Sequence, residues 1–103
     1  MATSRIDIFK QMLVSDPINT SILFGLAKEY EKAGLDNDLI ATLERYLDIS
    51  EDQGNGYGML AAAYERTGQR DKARDTYQRG IDAALQHGHP GMAEEFRMTL
   101  SSL

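Results

Sequence analysis

The sequence contains two histidines, His87 and His89, separated by one glycine and followed a turn later by two adjacent acids, Glu94 and Glu95. Imidazoles and carboxylates hold zinc and move protons, so metal binding or acid–base catalysis would have to reside in this segment. The spacing supports neither. A tetrahedral site needs a third well-placed ligand, the chain has no cysteine, and the two imidazoles flank a glycine turn instead of sharing a helix face. His89 reads as a polar lead-in to Pro90, which suits the first turn of a helix. No Walker-type phosphate loop or nucleophile elbow occurs, and solvation accounts for the remaining scattered carboxylates. The expectation is therefore no enzyme: no catalytic residue, no metal and no cofactor.

Bulk properties narrow the remaining classes. A length of 103 residues fits one domain, and 42% hydrophobic with 26% charged residues is ordinary globular usage. A formal charge of −5 repels phosphate backbones and anionic lipid, which argues against nucleic acid and membrane surfaces as partners. No apolar run approaches the roughly 20 residues of a membrane span, and the N-terminus lacks an export signal, so a soluble, cytoplasmic protein is expected. Without disulfides or a thiolate metal cage, helix packing has to supply the stability.

The elements that would position any functional side chain emerge from an internal repeat. Shifted by 34 places, the sequence superimposes Leu26 on Leu60, Ala27 on Ala61, Tyr30 on Tyr64, Glu31 on Glu65 and Gly34 on Gly68. Thr42, Arg45 and Asp48 then meet Thr76, Arg79 and Asp82, giving eight identities where composition predicts roughly two. Leu23, Leu26, Ala27 and Tyr30 fall on one helical stripe, as do Tyr57, Leu60, Ala61 and Tyr64, and each stripe stops at a glycine suited to a left-handed helix end. Polar residues (Asp36 and Asn37; Gln69, Arg70 and Asp71) then start second helices with their own apolar stripes, Leu39, Leu43, Tyr46 and Leu47 in one unit and Ala73, Tyr77, Gly80, Ile81 and Leu85 in the other. Each unit is thus a helical hairpin. Ser4 three residues before Asp7, followed by Ile6, Phe9, Met12 and Leu13, predicts a first helix ending before Pro17, and Gly88 to Pro90 followed by Met92, Ala93, Phe96 and Leu100 predicts a sixth. The expected layout is an N-terminal half-repeat helix over 4–16, repeats over 20–53 and 54–87, and a capping helix over 90–103.

Leu23-x2-Leu26-Ala27-x2-Tyr30 and Tyr57-x2-Leu60-Ala61-x2-Tyr64 resemble the first-helix signature of the tetratricopeptide repeat, and Leu39-x3-Leu43 and Ala73-x3-Tyr77 resemble its second. The resemblance covers about residues 5–87. It implies an all-α fold: a right-handed superhelical stack of antiparallel helical hairpins, about six helices in all. Leu85 stands where the family has a closing proline, so the second helix of the last repeat is expected to run on toward Gly88. The chain also resembles small stand-alone bacterial proteins of this family.

The resemblance further implies a function. In this family the first helix of each hairpin lines a concave groove that receives a partner's peptide or helix. By position the groove residues are Ser21, Phe24, Lys28 and Glu31 from one helix and Asn55, Gly58, Ala62 and Glu65 from the next. Phe24 either presents an aromatic anchor beside a recess left by Gly58 and Ala62, or fills the space above Gly58 within the domain. Lys28, Lys32, Asn55 and Arg66 are present, but Glu31 and Glu65 would repel a carboxylate, so the family's carboxylate clamp is not expected. The Asp52–Gly58 segment carries three glycines at a helix start, which predicts a fraying corner that is either a hinge or a loop requiring positive φ. The resulting expectation is a protein-binding adaptor, monomeric ahead of homo-oligomeric; a self-associating structural module is the alternative, with Met98 and Leu103 as its exposed candidates.

Overall fold

The computed structural model describes residues 4–103. Among them the chain is all-α: α1 (Arg5–Ser15), α2 (Thr20–Ala33), α3 (Asp36–Ile49), α4 (Asn55–Arg66), α5 (Arg70–Gln86) and α6 (Pro90–Ser101), packed as sequential hairpins. Two compact units divide it, one ending at Ser50 and the other Glu51–Leu103.

In the first unit, α2 packs against both α1 and α3. Ser4 caps α1 by accepting the amide of Asp7 at 3.1 Å, and Pro17 ends it by constraining the residue before it. Asn19 caps α2 in the same way through the amide of Ile22 at 3.1 Å. The core holds Leu23, Leu26, Ala27, Tyr30, Leu39, Ile40 and Leu43, with Leu13 supplied by α1. Arg45 on α3 donates to the carbonyl of Pro17 and so ties the α1–α2 turn to the third helix.

Glycine closes the helices where the sequence places it. At φ 72°, Gly34 lets its own amide bond Glu31 at 3.1 Å and that of Leu35 bond Tyr30 at 3.0 Å, satisfying carbonyls that the helix end would orphan. Gly68 and Gly88 repeat this closure at φ 76° and 77°. The polar starts behave differently. Neither α3 nor α5 has a side-chain cap; acids in the first turn, Asp36 and Asp38 on α3 and Asp71 on α5, provide the favourable charge instead.

In the second unit α5 packs against α4 and α6. As the helix-forming residues around Leu85 implied, α5 runs on to Gln86, for 17 residues. Pro90 opens α6, whose Met92, Phe96 and Leu100 lie on a buried cluster of Ile81, Ala84 and Ala93. Of the three glycines at the start of α4, only Gly54 has a positive φ, 133°, and an added Cβ there would meet the Met92 sulfur at 2.5 Å. Asp52, 8% exposed, stabilises this corner by accepting the amides of Gly54 and Gly56, both at 2.8 Å. It supplies from two residues upstream the cap that Gly54 cannot. The segment is therefore a fixed loop where the sequence suggested fraying.

Replacing Asp52 with Ala leaves those amides without their acceptor. We expect a loss of about 1–2 kcal/mol in urea unfolding, with faster hydrogen exchange confined to the first turn of α4.

Candidate partner-binding faces

Residues three and four apart on a helix share a face, so Ser21, Phe24, Lys28 and Glu31 form one stripe along α2. Ser21, Lys28 and Glu31 are exposed and Phe24 is half-buried. The Phe24 ring meets the Tyr46 ring of α3 at a centroid distance of 5.0 Å, tilted by 44°, and the Lys28 ammonium lies 5.0 Å from the Phe24 centroid. Each contact contributes on the order of 1 kcal/mol and holds the aromatic surface in place. A cleft of about 310 Å³ opens beside the two rings, with Thr20 and Ser21 adding hydroxyls to its wall. Such a surface suits an apolar side chain with a hydrogen-bonding edge.

The repeat-equivalent stripe on α4 is built differently. Asn55 is exposed, while Gly58, Ala62 and Glu65 are half-buried. At Gly58 a Cβ would lie 2.8 Å from the Phe96 ring, and at Gly80 of α5 it would lie 3.0 Å from that same ring. The recess expected at Gly58 is therefore filled from within the unit, by Phe96. Glu65 accepts a hydrogen bond from the hydroxyl of Tyr77, whose ring is 5.9 Å from that of Phe96. Burial first, then this bond and the Glu65 charge, hold the Tyr77 hydroxyl well above its ordinary value of 10.0.

Tyr46 and Phe96 are the neighbours of the candidate positions Phe24 and Gly58, and in the sequence both read only as packing-stripe residues. A signal for both exists in the repeat: the 34-residue shift replaces Phe24 by Gly58 and Tyr46 by Gly80 together, so two large residues disappear from one notch at once. The other candidate positions take internal partners. Lys32 lies 3.8 Å from Glu29, and His89 bonds Gln53 through Nε2 at 2.7 Å, pinning the loop before α4 to the start of α6. Among the described residues no group of three or more His, Cys, Asp or Glu could hold a metal, and no helix is long and apolar enough to cross a membrane.

Comparison with solved structures follows the hairpin architecture. MamA superimposes with a TM-score of 0.71 at 26% identity over 94% of this chain. This is the fold of a tetratricopeptide-repeat protein. The match spans 61% of that MamA chain; a second MamA structure gives a TM-score of 0.52 at 18% identity, covering 99% of this chain and 95% of the other. Protein BPP2914 from Bordetella parapertussis is similar in fold, with a TM-score of 0.81 at 21% identity over 98% of this chain and 88% of its own. No protein-family model matches the sequence, and comparison with curated proteins finds no match. The fold is a scaffold type that is typically non-catalytic and that suggests protein binding.

The Tyr77 bond yields a pH prediction. A phenol whose folded-state pKa is raised keeps its full stabilising contribution below its unfolded value and loses it as pH rises toward the folded one. We expect Tyr77→Phe to cost about 1 kcal/mol at pH 7 and to flatten the fall in stability above pH 10 relative to wild type, measured by urea midpoints from pH 7 to 11.

Proposed function

We propose that this chain is a protein-binding module that recognises a partner segment through the α2 face, with Phe24 as its apolar anchor and Ser21, Lys28 and Glu31 as its polar frame. The observation that carries the reading is the Phe24–Tyr46 pair, an aromatic platform held beside an open cleft and fixed by Lys28. Half-buried aromatic anchors framed by polar side chains dominate the energetics of protein recognition. The fold adds support, since a helical hairpin scaffold presents helix faces and is of a type that suggests protein binding. Within the second unit, Gly58 seats Phe96 and Glu65 is engaged by Tyr77, so the reading rests on the α2 face alone.

The partner segment that fits is an amphipathic helix or extended peptide bearing an aliphatic side chain for the cleft. Glu31 beside Lys28 makes the frame mixed in charge, which disfavours a free terminal carboxylate as the main determinant. A self-associating module is the second reading, and Met98, 66% exposed on α6, favours it. Light scattering over a concentration series separates the two: a constant monomer mass removes self-association.

Affinity purification from the native cell with wild type and Phe24→Glu tests the binding face. The charged side chain is expected to weaken the specific partners at least tenfold while circular dichroism stays helical. A folded variant that keeps every partner overturns the assignment.

A further inference from the structure

A second cleft of about 330 Å³ lies where α1, α2 and α3 of the first unit meet, and it has a different chemistry from the Phe24 face. Its floor is apolar and well packed: Leu13 is 8% exposed, Leu26 4% and Tyr30 6%. Val14, 83% exposed, stands at its edge. The charged residues that line it are Lys10 from α1 and Arg45 from α3, and among the described residues no carboxylate lines it. This is a departure for a chain with 16 acidic and 11 basic residues.

The internal repeat shows why Arg45 has no ion pair among the described residues. Its equivalent Arg79 stands 3.9 Å from Asp75, one helical turn earlier. In the first unit the residue equivalent to Asp75 is Ala41, and the Arg45 guanidinium instead donates to the neutral carbonyl of Pro17. That bond is to a neutral acceptor and holds the guanidinium in place, leaving its other donors without a carboxylate among the described residues. Lys10 likewise has no ion-pair or hydrogen-bond partner among the described residues.

We propose that this cleft is a second binding site, for a partner peptide carrying a carboxylate side chain next to an aliphatic one. The aliphatic group would rest on Leu13, Leu26 and the Tyr30 ring, and the carboxylate would pair with Arg45 and Lys10. A volume of this size accommodates a side chain or two and lies at the small end of ligand pockets. A fixed guanidinium binds a carboxylate with directional, charge-assisted hydrogen bonds, and Lys10 adds a mobile second cation. Nothing in this assignment depends on the Phe24 face, so either site can fail without the other.

The test uses the full chain labelled with nitrogen-15 and the peptide acetyl-Gly-Leu-Glu-Ile-Glu-Gly-amide, beside its counterpart with both glutamates changed to glutamine. Saturable shifts are expected at the amides of Lys10, Leu13, Val14 and Arg45, with binding at least tenfold weaker for the glutamine peptide and weaker as salt rises. Lys10→Glu, which removes no internal bond, is expected to weaken binding at least tenfold with an unchanged melting temperature. Val14→Asp, at the exposed edge, is expected to weaken it as well. Equal affinity for the two peptides, absence of saturable shifts, or shifts centred on Phe24 and Lys28 would overturn the proposal.

Discussion

An amphipathic helix hides one stripe of side chains and leaves the other wet, so no helix of this chain is stable without a neighbour to cover that stripe. Leu23, Leu39 and Leu43 are sealed from solvent, as are Ala27, Ala61 and Ala73. At roughly 25 cal/mol per Å² of apolar surface, burying each such leucine is worth about 2 kcal/mol, so the covered stripes are the main source of stability. Everything functional is then a matter of what the other faces carry. The small residues on the stripes matter as much as the large ones, because they set how closely two helices approach.

The second unit shows what close approach allows. Gly58 and Gly80 together leave room for one aromatic ring, and α6 supplies it as Phe96. The first unit has Phe24 and Tyr46 at the equivalent positions and fills the notch with its own rings. One repeat frame thus uses the same two positions to seat a neighbouring helix in one unit and to display an aromatic platform in the other. The proposed recognition face is a consequence of that exchange of volume between repeats.

Much of this fold is legible in the sequence because helix formation is local. The stripes, apart from the exposed Met12 and Leu85, the Ser4 cap, the glycine closures and the extension of α5 to Gln86 are all properties of neighbouring residues. The path of a loop and the contacts between distant residues are not. Asp52 reaches forward past Gln53 to cap α4, and only the course of the loop reveals that a segment rich in glycine is fixed. Phe96 reads as one more stripe residue until α6 is seen against Gly58 and Gly80. At the candidate site, the pairing of Lys28 with Phe24 follows from a spacing of one helical turn, whereas the contribution of Tyr46 requires the hairpin to be closed.

The central claim is that the α2 face meets another protein. Site-specific photo-crosslinking in the native cell addresses it most directly, with p-benzoylphenylalanine replacing Ser21 or Lys28, both exposed, and Gln78 on α5 as the reference position. The account predicts discrete covalent adducts with the same protein from positions 21 and 28 and none from 78. Identical adducts from all three positions, or none from 21 and 28, would contradict it.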